Sequence, residues 1–312
     1  MTLVRDRVSP GDGTAARKRP ASTRRRSPRM RRWPLVLPAL LFYALVVLYP
    51  SIAGGLYAFT DWNGLSRHVH LVGLDNFTRL AGDGEAVGSL VNTVVLAVAL
   101  MVVQNLIGLL LALALNARLR SRNLLRTLFF APAVLPPLVI GVLWKYLYSP
   151  GGPIEAALSL VGLPSPSWLG DESLALWSVV IAIVWQHAGL SMVIYLAGLQ
   201  GVPQELYEAG DLDGTTRWQR FWYLTRPMLA PATTIAVVLT MITGLKLFDQ
   251  VFAMTGGGPG YATETLSLDM YKQAFVLNDY SYGTALALIL TMIVAFVSFL
   301  QLKVLRRYEV EV

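Results

Sequence analysis

The sequence predicts an all-α integral membrane protein with six transmembrane helices, and three observations support this fold class. The 312-residue chain is 54% hydrophobic and only 14% charged, whereas soluble domains carry about a quarter charged residues. Six apolar stretches are long enough to cross a bilayer, which takes about 20 residues. Lys and Arg mostly lie before or beside these stretches. With no cysteine, the chain cannot form a disulfide or a thiolate metal site.

The predicted spans follow the apolar stretches in chain order. They lie at about 34–59, 89–115, 124–148, 174–200, 229–253 and 280–305. The first is too long for the core of a signal peptide and lacks a small-residue cleavage site, so it is predicted to remain as a helix. The third contains Pro132, Pro136 and Pro137, which membrane helices tolerate when neighbouring groups satisfy the backbone.

The distribution of basic residues predicts the orientation in the membrane. Of 26 Lys and Arg residues, 21 lie in the N-terminal tail, the turn 116–126, the loop 201–228 and the C-terminus, against three in the alternate segments. Both termini and the loop 201–228 are therefore predicted to be cytoplasmic. Residues 1–33 are predicted to be a disordered basic tail, since Arg, Pro, Ser and Gly dominate them, and 308–312 a short C-terminal tail. This clustering argues against nucleic acid as the partner of the +7 net charge.

The segments predicted to lie outside differ in composition. Residues 60–88 carry four acidic residues, 149–173 are rich in Pro and Gly, and 254–279 begin "MTGGGPGYATETLSLDMYKQAF". Short re-entrant or interfacial helices are expected in these loops. His68 and His70, even with His187, lack a metal-binding spacing, so a solvated loop is the preferred interpretation of the first two.

The loop between the fourth and fifth spans is predicted to be a helical hairpin. Pro203 fits a helix start, and the first helix is predicted over 204–212. The pair Asp213–Gly214 signals a turn. Thr216 can then cap a second helix, which is predicted to run from Arg217 to Thr225 and to stop at Pro227.

The two helices of this hairpin have different faces. Ala209 and Gly210 are small, so another surface can approach them closely, while Trp218, Phe221 and Trp222 cluster at three- and four-residue spacing. One interpretation is an interfacial hairpin anchored by aromatics at the lipid headgroups. The alternative is a docking element for a soluble partner that moves the membrane helices.

The phrase "EAGDLDG" within this loop resembles the EAA loop of bacterial binding-protein-dependent ABC transporter permeases. Glu208, Ala209, Gly214, Leu224 and Pro227 fall in register with that motif. Gly210 stands for its second Ala, Leu224 for Ile, and Arg226 for the Leu before the proline. Arg226 has no evident role in the sequence.

Further phrases resemble the carbohydrate branch, which includes the maltose and glycerol-phosphate permeases. They are "GLDNFTRL", "WSVVIAIVWQHAGLSMVIYLAGLQ", "AGLQGVPQELYEAGDLDGTTRWQRF" and "TGGGPGYATETLSLDMYKQAF". The resemblance covers about residues 33–307. It implies an ABC importer type I permease fold over 34–307, in the cell membrane, importing a sugar or related polyol.

The resemblance also implies partners and roles. A second permease subunit (giving a heterodimer), two ATP-binding subunits and an external solute-binding protein would complete the transporter. The loop 203–228 would be a coupling helix seated in a cleft of an ATPase subunit, through Glu208, Ala209, Gly210, Asp213, Gly214 and Pro227. This chain would bind no cofactor, and ATP and magnesium would be held by the partner subunits.

Polar residues inside the predicted spans have two interpretations, because burying them in lipid is costly. They are Asn92, Gln104, Asn105, Lys145, Gln186, His187, Lys246, Asp249 and Gln250. They either bond between helices or line a translocation path. Lys246 and Asp249, three residues apart, are expected on one helix face, where they can neutralise each other. The path is predicted to use Trp185, Gln186, Thr243, Phe248 and Gln250.

Two other classes of protein are weighed against the importer. A self-sufficient secondary transporter predicts internal repeats and an intramembrane ion site, and no convincing repeat is visible. A membrane enzyme requires a catalytic constellation, and none of the metalloprotease, nucleophile-elbow or Walker A patterns occurs. The chain is therefore predicted not to be an enzyme, and the energy for transport must come from a partner.

Overall fold

The computed structural model describes residues 33–117 and 120–308, and the predicted tails fall almost entirely outside these residues. Within them the regular structure is helical, apart from one isolated antiparallel bridge between Thr60 and Leu71. The all-α prediction is confirmed. Residues up to Pro50 and residues from Ser51 onward form two separate units.

The α-helices of the described residues are, in chain order, α1 Trp33–Tyr43, α2 Tyr49–Tyr57, α3 Asp75–Gly82, α4 Gly84–Asn116, α5 Arg122–Phe130, α6 Pro137–Leu147, α7 Pro153–Leu160, α8 Glu172–Gln200, α9 Gln204–Leu212, α10 Arg217–Arg220, α11 Arg226–Met228, α12 Ala230–Leu245, α13 Asp249–Met254, α14 Leu266–Tyr271 and α15 Tyr280–Leu305. Wider π-helical turns occupy Ala44–Leu48, Phe221–Thr225 and Lys272–Val276, and 3-10 turns occupy Ala131–Val134 and Arg306–Tyr308.

Four continuous helical stretches among the described residues are long and apolar enough to cross a membrane. They are Val36–Tyr57, Gly84–Asn116, Glu172–Gln200 and Tyr280–Leu305. Two bent helix pairs also qualify, which gives up to six spans by length and composition. Each of the six overlaps one of the predicted spans.

The third predicted span, 124–148, is not one continuous helix. It bends by 99° between Arg122–Val134 and Pro137–Leu147. Leu135 is extended, with φ −74° and ψ 144°, because the residue before a proline is disfavoured in the α conformation. Pro136 lacks an N–H and so cannot extend the hydrogen-bond ladder. The paired prolines therefore break the span rather than being absorbed into it.

The fifth predicted span, 229–253, is also interrupted. Its apolar helix α12 ends at Leu245, and a new helix, α13, begins only at Asp249. Lys246 and Asp249 therefore do not share one continuous helix face, and no ion pair within 4.0 Å joins them among the described residues. The expectation that the two charges neutralise each other along one helix is wrong.

The core of the second unit is built around α4 and α8, which pack along each other, with α12 against both and α15 against α12. Leu96, Leu100 and Ile183 are fully buried between these helices. Because lipid is as apolar as leucine, such helices associate through close packing and interhelical hydrogen bonds.

Two of the intramembrane polar candidates supply interhelical bonds of this kind. Gln104 on α4 donates to the Ser191 hydroxyl of α8 at 2.9 Å. The Asn105 side chain donates to Thr240 of α12 at 3.2 Å and accepts from Tyr195 at 3.3 Å. Gln104 and Asn105 are buried, so for them the helix-bonding interpretation is the correct one.

The glycine-rich segment after α13 is tied back to α4. Asn92 donates to the backbone carbonyls of Tyr261 and Glu264, both at 3.1 Å. Glu264 is 3% exposed and pairs with Lys272 at 2.6 Å. Burial raises the pKa of the Glu264 carboxyl, and the Lys272 ammonium opposes that rise. The expected short helices of the loops are present as α3, α7 and α14.

Candidate functional site

The loop between α8 and α12 folds as the predicted helical hairpin. Its first helix spans Gln204–Leu212 and follows Pro203, as the sequence predicts. Gly214 makes the turn with a positive φ of 68°, a conformation that glycine adopts without a steric penalty. The backbone N–H of Thr215 then returns to the carbonyl of Gly210 at 3.0 Å. The turn is thus closed by its own hydrogen bonds.

Side chains on the two arms also hold the hairpin together. Asp211 pairs with Arg220 across the turn, and the hydroxyls of Tyr207 and Thr225 lie 3.2 Å apart. The Thr216 hydroxyl accepts from the backbone of Gln219, whose side chain accepts in return from the Thr216 N–H, forming a capping box. The predicted cap is confirmed. These bonds make the loop a rigid unit rather than a flexible connector.

The second arm does not end at Pro227 as predicted. The helix continues through the π-helical turn Phe221–Thr225 and α11 to Met228, and then bends by 67° into α12. The extra residue of the π turn, placed just before the proline, accommodates the missing N–H. The hairpin therefore runs directly into α12 through a kink.

Gly210 lies inside the hairpin, not on the outward docking face that its small size predicted. It is buried, and a side-chain carbon there would lie 3.1 Å from the Leu224 side chain and from the Thr215 hydroxyl. Its small size lets the two arms of the hairpin approach each other, so it does not form an outer docking face. Ala209 and Glu208 are exposed, and the Glu208 carboxylate accepts from Gln204 at 3.0 Å.

The aromatic cluster on the second arm accounts for Arg226. Trp218, Phe221 and Trp222 pack within 5.5 to 6.4 Å of one another. The guanidinium of Arg226 lies over the Trp222 ring, 4.7 Å from its centroid. Such a cation–π contact contributes about 0.5–1 kcal/mol at an exposed site. Arg226 therefore extends the aromatic cluster, one helical turn beyond Trp222.

Replacing Thr216 with alanine is expected to loosen the second arm, because the cap hydrogen bond and half of the capping box are lost. A cap of this kind contributes about 1 kcal/mol. Amide hydrogen exchange of 217–225 should rise by about fivefold, since 1.4 kcal/mol corresponds to a factor of ten. Thr291→Ala is the control, because the Thr291 hydroxyl bonds only its own helix, at Ala287. Unchanged protection in the Thr216 variant would contradict the prediction.

A cavity of about 260 Å³ lies where the broken helices meet. It is lined by Pro137, His187, Ile242, Thr243, Lys246, Leu247, Phe248, Asp249 and Gln250. Three of the five predicted path residues, Thr243, Phe248 and Gln250, are therefore brought together. We call this space the central cavity. Its wall combines hydroxyl, amide and imidazole groups with one aromatic ring and one charge of each sign.

Gln186 lies directly behind this wall. It is fully buried, donates to the carbonyl of Leu135 at 3.0 Å and accepts from the Gln250 amide at 2.9 Å. Leu135 lies in the proline break, where its carbonyl would otherwise lack a helical partner. Gln186 thus fixes the bend of the third span and the orientation of Gln250 together. For Gln186 the helix-bonding interpretation is the one that the contacts support.

Trp185 lies apart from the central cavity. It is 44% exposed, packs edge-on against Trp144 at 5.7 Å, and borders an apolar groove with Val103, Ile107 and Leu135. Trp185 was predicted for the path as an aromatic platform for sugar, but on α8 it points about 100° away from Gln186 and lines the apolar groove instead. The sequence did not predict Pro137, Ile242 and Leu247 as lining residues. The signal for Pro137 was the double proline, which sequence reasoning had treated as tolerated inside a continuous helix.

The described residues contain no group of three His, Asp or Glu side chains placed to hold a metal ion. His70 lies in an exposed loop, with its ring 2.9 Å from the Asp61 carboxylate. The Asp61 pKa is lowered chiefly by the backbone N–H of His70, which donates to it at 2.8 Å. The solvated-loop interpretation of His70 agrees with these contacts.

The helices long enough to cross a membrane, the two bent spans and the cavity at their breaks are typical of a multi-pass membrane transport protein. The chain belongs to the family described as the binding-protein-dependent transport system inner membrane component, whose sequence profile matches residues 104–310. Its resemblance to the carbohydrate branch of ABC transporter permeases is confirmed by the relatives described next.

Curated relatives match along nearly the whole chain. The multiple sugar-binding transport system permease protein of Streptococcus mutans is 35% identical over 277 residues, covering 89% of this chain and 94% of that protein. A probable starch degradation products transport system permease of Thermoanaerobacterium thermosulfurigenes is 35% identical over 279 residues, covering 89% and 95%. These identities extend well beyond the hairpin motif.

A solved structure shares the fold. A chain of a bacterial ABC transporter for import of the acidic polysaccharide alginate has a TM-score of 0.78 and 22% identity. The match covers 89% of this chain and 96% of that one. The predicted type I permease fold is therefore confirmed.

Proposed function

We propose that this chain is the membrane-spanning permease subunit of an ATP-driven importer for a sugar or related polyol. An external binding protein delivers the solute, and separate subunits docked on the loop 203–228 hydrolyse ATP. The observation that carries the proposal is the rigid, exposed hairpin, which continues directly into helices that line a polar cavity. The sugar transport names of the curated relatives support the substrate class.

The coupling step follows from the connectivity of these elements. The hairpin begins three residues after α8 ends at Gln200, and its second arm enters α12 at Ala230. His187 on α8 and Thr243 on α12 both line the central cavity. Because the hairpin is held by its own hydrogen bonds, a displacement of it moves both helices as a body. ATP-driven closure of a partner can thereby open or close the cavity.

The proposed partners are inferred from a nucleotide-binding motif that the sequence lacks and from the hairpin that the chain exposes. No phosphate-binding Walker A pattern occurs in the sequence, so ATP and magnesium belong to the docked subunits and the permease itself catalyses no reaction. The basic-residue bias supports a cytoplasmic position for the hairpin and both termini. A second, non-identical permease subunit would complete the path, as the family resemblance implies.

The central cavity supplies the chemistry that a neutral carbohydrate needs. Thr243 and Gln250 offer hydrogen-bonding groups, and the Phe248 ring offers an apolar face, while Gln186 holds Gln250 in place. Small-molecule sites commonly combine apolar walls with a few fixed polar groups of this kind. We propose that sugar hydroxyls contact Thr243 and Gln250 during passage.

The cavity role predicts that Thr243→Val weakens uptake while Thr291→Val does not. Both threonines are exposed and bond a carbonyl of their own helix, at 2.9 and 2.8 Å, but only Thr243 lines the cavity. Losing one sugar hydrogen bond, about 1 kcal/mol, should reduce uptake at low substrate about fivefold. The assay measures uptake of radiolabelled maltose, trehalose and lactose by cells carrying the complete transporter. Equal uptake by the two variants would count against the cavity as the path.

A further inference from the structure

A second cavity, of about 390 Å³, lies between the loop 149–173 and the ends of α6 and α13. It is lined by Lys145, Tyr148, Ser149, Pro150, Glu155, Ser165, Pro166, Ser167, Trp168, Leu169, Gly170 and Met254. We call it the end cavity, because it lies where α6 ends and α8 begins. The hairpin 203–228 follows the other end of α8, a helix of 29 residues, so about 40 Å of helix separate the two.

The aromatic side of the end cavity is held rigidly. Trp168 stacks on Tyr148 with ring centroids 5.3 Å apart. The indole N–H of Trp168 donates to the Ser165 hydroxyl at 3.2 Å, and its backbone carbonyl accepts from Ser178 on α8 at 2.9 Å. The Tyr148 hydroxyl donates to the Ser178 carbonyl at 3.3 Å. This wall is therefore formed before any ligand arrives.

The polar side of the end cavity has groups left free to bind. Among the described residues, neither the Lys145 ammonium nor the Ser167 hydroxyl has a hydrogen-bond partner. Glu155 uses one carboxylate oxygen to accept from the backbone of Gly151 at 2.8 Å, and its other oxygen has no such partner in these residues. Donors and an acceptor thus converge on one space beside a fixed aromatic wall.

The helices α6 and α13 each line both the end cavity and the central cavity. On α6, Pro137 lines the central cavity and Lys145 the end cavity; on α13, Asp249 and Gln250 line the first and Met254 the second. The two helices pack closely, since a side-chain carbon at Gly141 would lie 2.6 Å from Ala253. The two cavities therefore occupy opposite ends of one tightly packed helix pair.

We propose that the end cavity is a binding subsite for a neutral sugar, occupied before the sugar reaches the central cavity. This inference rests on the proposed function. Free donors and a carboxylate beside a rigid aromatic wall fit a compact polyhydroxylated molecule, and a volume in the range of small-molecule sites fits one or two sugar rings. A lipid chain would leave Lys145 and Glu155 without partners in an apolar contact, which is costly.

The test uses a double variant that carries both Lys145→Met and Ser167→Ala. Its control is the single variant Ser159→Ala, and both are measured in the complete transporter. Ser159 is an exposed serine of α7 that bonds its own helix and does not line the cavity. The sugar is whichever of maltose, trehalose and lactose the wild type imports, supplied on its binding protein. The concentration for half-maximal uptake should rise about tenfold in the double variant, with the maximal rate nearly unchanged, and should stay at the wild-type value in Ser159→Ala.

A second measurement reports binding directly. Saturation-transfer NMR of the same sugar, with the transporter in nanodiscs and no binding protein, should lose at least half its signal in the double variant and little in Ser159→Ala. Unchanged signal and unchanged uptake would overturn the subsite. Weaker association with the binding protein, with the sugar signal intact, would assign the cavity to protein docking and also overturn it. If Thr243→Val reduces uptake while the double variant behaves as wild type, the proposed importer function is supported and only the end-cavity subsite is rejected. No import of any sugar in the panel overturns both.

Discussion

Replacing Gly214 with valine is expected to abolish uptake while leaving membrane insertion intact. Gly214 turns the hairpin with φ 68°, and a side chain there meets no atom within 4 Å. The penalty is therefore conformational rather than steric, and a β-branched residue with positive φ is a genuine outlier. The arms would separate or reorient, so the proposed ATPase subunits should no longer co-purify with the permease. The measurement combines sugar uptake with recovery of those subunits.

Gly73→Val is a matched control for this variant. Gly73 also has a positive φ, 65°, and also has open space around it, but it precedes α3, far along the chain from the hairpin. It should carry similar backbone strain and keep its ATPase subunits. Normal uptake and normal subunit recovery with Gly214→Val would refute the docking role of the hairpin. Uptake that persists without any ATPase subunit would instead favour a self-sufficient secondary transporter.

Glu208 extends this prediction to a surface position. Its carboxylate is exposed and bonds only Gln204 of its own helix, so Glu208→Ala should leave the fold intact and still abolish uptake. Glu205→Ala is the control, since Glu205 is exposed on the same helix and lies outside the motif. Equal activity of the two variants would contradict the role of Glu208.

Gly189→Ala is expected to have the largest effect on stability. A side-chain carbon at Gly189 would lie 2.0 Å from the Phe129 carbonyl oxygen and 2.8 Å from the Phe130 Cα. These are backbone atoms of the third span, just before its proline break, and they cannot rotate away as a side chain can. Overpacking of this severity should cost about 3 kcal/mol, so the bent span should be displaced from α8.

The same substitution at Gly88 should not destabilise the protein. Gly88 lies in α4 with no atom within 4 Å of an added side-chain carbon. Alanine there should be neutral or stabilise the helix by up to about 1 kcal/mol. Thermal unfolding of the purified complex, followed by circular dichroism, measures both variants. If Gly189→Ala and Gly88→Ala unfold at the same midpoint, the third span can move away from α8 without loss of stability, and the prediction is wrong.

The sequence predicted which residues lie near the central cavity, but not which of them face it. Thr243, Phe248 and Gln250 were predicted for the path and do share one cavity, because all three lie at or within three residues of the break 246–248 between α12 and α13. Gln186 was assigned to the same path, but it lies behind Gln250 and bonds to it. The sequence cannot distinguish a side chain that faces a cavity from one that holds a lining residue in place. The difference depends on which neighbouring helix supplies the hydrogen-bond partner.

By itself, the sequence determined the features that depend on local chemistry and on the membrane as solvent. Apolar length placed helices at the six spans, and Pro203 and Thr216 set the starts of the hairpin arms, because a cap or proline acts within one turn. Tertiary structure alone decided that Gln186 satisfies the Leu135 carbonyl at the proline break and that Gly210 is buried against Leu224. Each depends on whether another segment arrives to satisfy a carbonyl or to fill a space. A one-dimensional pattern contains no such information, because the partners lie elsewhere in the chain or on a face that only folding selects.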